Sequence, residues 1–247
     1  MPDPDTAADP SDRTLVLSYV AVRQALGYLG VFLPLSLLIH AALTDHQLEP
    51  SISDYYYTSM GGVLTGTLSA IGIFLVTYCG YDRKPGEWLS DRWLSRIAGA
   101  AALAVALLPI GRAGYPVCIG EPRVCWVFGA TAHADLLHYA AASIFFLCLA
   151  LLSLVQFPRG ERDASGRLCW TGRTFTYLLS GTVILAMMVA ILPYFLADPA
   201  TKAGLQDRHY LFWCESIAVL AFATSWLAKG RALGTLVRTM SRMAGGA

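Results

Sequence analysis

The sequence predicts an all-α polytopic membrane protein, a bundle of six transmembrane helices with both termini in the cytoplasm. Three observations support this prediction. Of the 247 residues, 55% are hydrophobic and 14% are charged, whereas soluble domains carry about 25% charged residues. Six stretches approach the length of about 20 apolar residues that crosses the hydrocarbon of a bilayer. Lysine and arginine are concentrated in alternate loops, which is typical of membrane proteins with a fixed orientation.

The chain divides into three segments. Residues 1–14 are acidic, and we expect them to be flexible and uncleaved, because MPDPDTAADPSD lacks the positive charge that begins a signal peptide. Residues 15–229 form the transmembrane domain. Residues 230–247 form a basic amphipathic tail, which is suited to lie on the inner surface of the membrane.

The six predicted spans follow one another without a linker or an internal repeat. The second and fifth spans contain no charged residue, and the other four carry polar or charged groups near one end. In the second span, Gly62, Gly66 and Ala70 recur at four-residue spacing, which favours close packing of helices. The predicted limits are about 23–43, 58–80, 94–115, 134–157, 174–196 and 210–228.

The distribution of lysine and arginine predicts the orientation. The loops after the second and fourth spans, the C-terminal tail and Arg13 carry thirteen of these residues, against four in the opposite loops. We therefore expect both termini to be cytoplasmic and residues 50–58, PSISDYYYT, to face outward.

Ionisable side chains gather toward the outward ends of the spans. Glu215 lies fourteen residues before Lys229, which is about 21 Å along a helix and therefore within the hydrocarbon. Arg112 has a similar depth and is the natural ion-pair partner of Glu215. Asp135 and His138 lie one turn apart on a single helix face. We expect an outward-facing polar pocket ringed by Asp54, Tyr56, Tyr57, Arg112, Asp135, His138 and Glu215.

Each of these side chains also has a structural interpretation. Arg112 and Glu215 can act only as a clamp between the third and sixth spans. Asp54 can cap the second span by accepting its free N–H groups. The tyrosines can belong to an aromatic belt at the membrane surface. The sequence leaves these alternatives open.

Three functions fit such a pocket. The preferred one is binding, with transport as an extension, of a small polar ligand or a lipid headgroup. The second is a metal-dependent lipid hydrolase, in which His138, Asp54 and Glu215 would hold zinc and activate water. The third is a membrane organiser or a subunit of a larger complex. Apart from this zinc we predict no cofactor, and the sequence contains no Walker A loop, GxSxG or Rossmann signature.

The cysteines indicate a possible disulfide, and the net charge indicates which partners to expect. Cys118 and Cys125 lie in the outward loop CIGEPRVC, where an oxidising compartment would allow a disulfide, and two free thiols are the alternative. The net charge of +1 gives no reason to expect a nucleic-acid partner. Membrane lipids are the expected surroundings, and homo-oligomerisation stays open.

Two stretches resemble a known group of proteins. ISDYYYT, followed along the second span by AIGIFL and GYD, is similar to uncharacterised bacterial multi-pass proteins, as is ESIAVLAFATSWLAKG at residues 215–230. The PSISD element further resembles the Frag1/DRAM/Sfk1-like six-span membrane proteins. This resemblance implies six helices and residence in a membrane, and it implies no settled reaction. Because the similar multi-pass proteins are bacterial, the membrane that we expect is the inner membrane of a bacterium.

Overall fold

A computed structural model describes residues 10–44, 48–78, 80, 90–111, 134–163 and 165–230. Within these ranges the chain is helical, and the only strand-like pairing there is a single bridge between Arg162 and Leu168. The predicted all-α class is confirmed.

The described residues form seven α-helices and three shorter helical turns. The α-helices are α1 (Pro10–Leu43), α2 (Gly61–Thr77), α3 (Asp91–Leu107), α4 (Ala134–Leu151), α5 (Gly172–Leu196), α6 (Pro199–Asp207) and α7 (Tyr210–Lys229). A 3₁₀ helix precedes α2, and α4 continues into a π-helical turn and a second 3₁₀ turn. The limits of these three are Ser53–Tyr57, Leu152–Gln156 and Phe157–Glu161.

Four helices are long and apolar enough to cross a membrane, and they match the first, fourth, fifth and sixth predicted spans. They are Val20–Leu43, Asp135–Glu161, Gly172–Leu196 and Tyr210–Lys229. Large apolar side chains are exposed on their outer faces, for example Phe32, Val189 and Leu192. Such an apolar exterior fits contact with lipid better than contact with water. These helices support a helical membrane protein.

The second and third predicted spans are shorter than expected. α2 and α3 each contain 17 residues. α3 ends at Leu107, eight residues before the predicted limit at residue 115. The cause is Pro109, because a residue before proline is driven out of the helical conformation. Leu108 is accordingly extended, with φ −112° and ψ 91°.

The predicted terminal segments fall largely outside the described residues. α1 already begins at Pro10, so the end of the predicted flexible N-terminus is helical. Residues 1–9 and nearly all of the predicted amphipathic tail, 231–247, lie outside the described ranges.

α7 packs mainly against α1 and α5. Two clusters of buried side chains follow it. One cluster, toward its end, includes Phe222 and Trp226. The other, near its start, joins Phe212 to Ile52 and Tyr55 of the PSISDYYYT stretch. The stretch is therefore part of the core, although it lies between two helices.

α2 and α3 approach each other most closely at two glycines. A Cβ atom on Gly99 would lie 2.6 Å from the carbonyl oxygen of Gly72 and 2.7 Å from the backbone nitrogen of Val76. Gly62 and Gly66 are exposed, and a Cβ atom on either would meet nothing within 4 Å. Among the described residues, the predicted packing stripe at Gly62, Gly66 and Ala70 is therefore wrong, because α2 meets α3 at Gly72 instead.

Replacement of glycine by alanine should have opposite effects on stability at the packed Gly99 and at the exposed Gly66. We expect Gly99→Ala to destabilise the protein by about 1–3 kcal/mol, because the new methyl group forces two backbones apart. Gly66→Ala should stabilise it by up to about 1 kcal/mol, because alanine has the higher helix propensity and space is open. Thermal unfolding in detergent, followed by circular dichroism, measures both. Equal midpoints for the two variants would contradict the packing described here.

Candidate functional site

Residues 50–54, the PSISD segment, are docked on the start of α7. The backbone N–H of Ile52 donates to Oε2 of Glu215 at 2.7 Å. The N–H of Phe212 donates to the carbonyl oxygen of Pro50 at 3.0 Å. Because these two bonds run in opposite directions, they fix both the position and the direction of the segment on α7.

Asp54 is held within the same segment. The Ser51 hydroxyl donates to Oδ2 of Asp54 at 2.7 Å, and the N–H of Asp54 donates back to Ser51 Oγ at 3.2 Å. Asp54 lies in the first turn of the 3₁₀ helix, whereas α2 begins seven residues later, at Gly61, and has no side-chain cap. The interpretation of Asp54 as a cap of the second span is therefore wrong.

His138, on the first turns of α4, is 4% exposed and connects two other elements. Its Nδ1 lies 2.5 Å from the carbonyl oxygen of Leu108, and its Nε2 lies 2.9 Å from Ser53 Oγ. A carbonyl oxygen only accepts, so Nδ1 carries the hydrogen. In the neutral ring Nε2 is then an acceptor, and the Ser53 hydroxyl donates to it.

A cavity of about 170 Å³ lies beside these contacts, and its lining combines polar and apolar side chains. The polar lining includes Ser51, Ser53, Asp54, His138 and Glu215. The apolar and aromatic lining includes Tyr139, Phe146, Met188, Ile191, Phe195 and Leu211. Three of the seven predicted site residues, Asp54, His138 and Glu215, are therefore brought together.

Two further predicted residues bind backbone groups next to the cavity. The Tyr57 hydroxyl donates to the carbonyl oxygen of Ile110 at 2.5 Å. The carboxylate of Asp135 accepts the N–H of Gly111. Neither side chain lines the cavity, although Ile110 and Gly111 do.

The remaining predicted residues do not join the cavity in the described structure. Tyr56 lies edge-on against Tyr57, with ring centroids 5.3 Å apart, and is not among the lining residues. Arg112 lies outside the described residues, so its ion pair with Glu215 stays a prediction. Cys118 and Cys125 also lie outside them, and so does their predicted disulfide.

Sequence reasoning missed one pair of lining residues. Gln206 Nε2 donates to the Tyr194 hydroxyl at 2.8 Å, and both side chains line the cavity. Gln206 is placed by α6, and the backbone N–H groups at the start of α6 donate hydrogen bonds to the Asp198 side chain. The hydrogen bond from the Thr201 hydroxyl lowers the pKa of the Asp198 carboxyl, so this cap stays ionised. The only sequence signal was the Asp-Pro start of a helix inside a predicted loop.

A wider cleft of about 870 Å³ includes Pro50 of the PSISD segment in its lining and shares Gln206 with the cavity. Its lining includes His40, Glu49, Tyr55 and His209. His40 Nε2 is 3.4 Å from Ser59 Oγ, a long contact that makes at most a weak hydrogen bond. Burial raises the pKa of the Tyr55 phenol, so this side chain is protonated at neutral pH.

Metal binding at the cavity has little support from the geometry. The described part of the chain contains no group of three or more His, Cys, Asp or Glu side chains suited to hold a metal ion. Both ring nitrogens of His138 are engaged, so zinc binding would require it to release Ser53 or Leu108. The predicted zinc ligands His138, Asp54 and Glu215 stay a prediction.

Comparison with known proteins gives no further guide. No protein-family model matches the chain, and no curated protein and no solved structure matches it either. The resemblance to Frag1/DRAM/Sfk1-like proteins stays a prediction, and the function has to be argued from the cavity itself.

Two substitutions of Glu215 should separate its structural role from its place in the cavity. Glu215→Ala leaves the Ile52 N–H without its acceptor and should lower the free energy of unfolding by about 1–3 kcal/mol. Glu215→Gln keeps an acceptor oxygen and should lower the free energy of unfolding clearly less than Glu215→Ala does. Denaturant or thermal unfolding in the same detergent compares them. Equal losses in both variants would contradict the docking role of the Glu215–Ile52 bond.

Proposed function

We propose that the protein binds an amphiphile, a lipid or lipid-like molecule, whose headgroup enters the cavity and whose apolar part lies along α4 and α5. One observation carries the proposal. The cavity is lined both by hydroxyl, imidazole and carboxylate groups and by apolar side chains. This pairing is what a ligand with one polar end requires, because few polar groups fix orientation while apolar walls supply affinity.

The size of the cavity favours a headgroup rather than a whole ligand. Pockets that enclose drug-sized molecules measure about 300–1,000 Å³, and this cavity measures about 170 Å³. An acyl chain would therefore have to leave it. Tyr139 and Phe195 line the cavity and are 38% and 41% exposed. Their rings meet edge to face, with centroids 5.0 Å apart, and they form a rim between the cavity and the apolar outer surface.

The described lining favours a headgroup that donates hydrogen bonds. Each of the two carboxylates has one oxygen engaged by the protein, Oδ2 of Asp54 by Ser51 and Oε2 of Glu215 by Ile52. The second oxygen of each carboxylate is left to accept from a ligand. No lysine or arginine is present in the described part of the lining. A hydroxyl- or amine-bearing headgroup fits these acceptors best.

Filling the cavity should abolish binding, and a matched control lies on the same helix. Ala142 lines the cavity, whereas Ala140 is exposed and does not. We expect Ala142→Trp to weaken lipid retention at least about tenfold, while Ala140→Trp keeps it. Native mass spectrometry of protein purified in mild detergent measures retained lipid, and its mass reports the headgroup. Unchanged retention in folded Ala142→Trp protein would contradict this site.

We also propose that α2 and α3 cross the membrane, which gives six spans with both termini in the cytoplasm of a bacterium. With 17 residues each, they span about 26 Å, close to the thickness of the hydrocarbon. The thirteen-to-four distribution of lysine and arginine supports this orientation. The cavity would then open toward the outer half of the membrane.

Reporter fusions test this topology in bacterial cells. Green fluorescent protein attached after residue 247 should fluoresce, because it folds in the cytoplasm, and alkaline phosphatase there should be inactive. Alkaline phosphatase inserted after Lys202 should be active, because that loop is expected outside. The reverse pattern would contradict the orientation, and active phosphatase at both positions would contradict the crossing of the membrane by α7. Phosphatase inserted after Lys84, between α2 and α3, should be inactive, and activity there would contradict the crossing by these two helices.

A further inference from the structure

Ser53, His138 and the backbone of Leu108 form a chain of two hydrogen bonds that ends at the cavity. The Leu108 carbonyl oxygen accepts from Nδ1 of His138, and Nε2 of His138 accepts from the Ser53 hydroxyl at 2.9 Å. This is the arrangement of a nucleophile, a general base and a group that orients the base. Here a backbone carbonyl occupies the place that a carboxylate takes in a serine protease.

We propose that Ser53 is a nucleophile that accepts an acyl group from an ester of the bound amphiphile, with His138 as its general base. This inference rests on the proposed function, because the amphiphile supplies the ester. Ser53 and His138 both line the cavity, so the Ser53 oxygen lies where the polar end of such a ligand would enter.

A purely structural role accounts for only half of this geometry. The non-helical end of α3 needs a donor for the Leu108 carbonyl, and Nδ1–H of His138 supplies it. That bond needs nothing from Nε2, which nevertheless accepts from a cavity-lining hydroxyl. The bond to Leu108 fixes the tautomer, so Nε2 is the basic nitrogen that faces Ser53.

The reaction balances without a co-reactant other than water. Ser53 Oγ attacks the ester carbonyl carbon while its proton passes to Nε2 of His138. The carbon–oxygen bond to the alcohol then breaks, and that alcohol oxygen takes the proton from Nε2. Water, deprotonated by Nε2, then attacks the acyl carbon. The bond between that carbon and Ser53 Oγ breaks, Oγ takes the proton back from Nε2, and a carboxylic acid is released. The products are one alcohol and one acid.

Other groups on the cavity fit the charges that develop. The carboxylates of Asp54 and Glu215 border the same cavity and favour the positive charge that His138 carries during the reaction. The Tyr194 hydroxyl accepts from Gln206, so its own hydrogen is left for a ligand oxygen. Tyr194 is therefore the donor that we assign to the substrate carbonyl.

A fluorophosphonate with a long alkyl chain tests the nucleophile directly. We expect the purified full-length protein to be labelled at Ser53, identified by peptide mass spectrometry, and Ser53→Ala to lose the label. Ser36→Ala should keep it, because the Ser36 hydroxyl bonds within α1, to the Leu33 carbonyl. His138→Asn keeps a donor for Leu108 but no base, and should slow labelling about 100-fold. An unlabelled Ser53, or equal labelling rates in folded His138→Asn, overturns the proposal.

A cysteine variant covers the case in which His138→Asn does not fold. Ser53→Cys should be alkylated by iodoacetamide at neutral pH at least tenfold faster than Ser143→Cys on the same cavity, because Nε2 of His138 takes its proton. Equal alkylation rates overturn the proposal.

Lipid retention of Ser53→Ala, measured by native mass spectrometry, separates the proposed nucleophile from the proposed binding function. If lipid is retained but the unaltered protein is not labelled, only the role of Ser53 as a nucleophile is overturned. If Ser53 is labelled but no lipid is retained, only the proposed binding of an amphiphile is overturned.

Discussion

The structure around the cavity depends on one constraint, the ending of α3 at Leu107. Pro109 stops the helix, so the backbone groups of residues 108–111 need hydrogen-bond partners outside α3. Three side chains from two other elements supply the missing partners. His138 binds the Leu108 carbonyl, Tyr57 binds the Ile110 carbonyl, and Asp135 binds the Gly111 N–H. The 3₁₀ helix and α4 are thereby drawn to one point, and the cavity lies beside it.

The same contacts explain why polar groups remain for a ligand. The carboxylates of Asp54 and Glu215 each bind the protein with one oxygen and keep the other oxygen for the cavity. His138 uses Nδ1 for Leu108 and turns Nε2 to Ser53, while Glu215 uses one oxygen for Ile52. A polar group that satisfies a backbone partner is oriented by it, and an oriented group recognises a ligand at a lower entropic cost. The structural bonds and the proposed binding function therefore support each other.

The sequence predicted the class of fold and part of the site, and the limits of that prediction have physical causes. Helical rise alone put Glu215 at the depth of His138, and both line the cavity with Asp54. The roles of Tyr57 and Asp135 were not predictable, because they depend on where α3 stops. The Ser53–His138 contact joins residues 85 positions apart, and its formation depends on how α4 is rotated against the 3₁₀ helix. Gln206 was missed because α6 is short and polar, without the apolar period that identifies a span.

The two ends of α7 indicate why a buried charge alone does not define a site. Lys229, at one end, is 3% exposed. Its ammonium donates to the Phe157 carbonyl and lies 5.2 Å and 5.7 Å from the ring centres of Phe157 and Tyr177. These groups compensate the lost hydration of the cation, as cation–π contacts do in apolar surroundings. Glu215, near the other end, accepts from a single backbone N–H and borders a cavity with hydroxyl and imidazole groups. Lys229 is enclosed by its own protein, whereas Glu215 has space beside it that a ligand can enter, and this difference is why we place the proposed binding site at the start of α7.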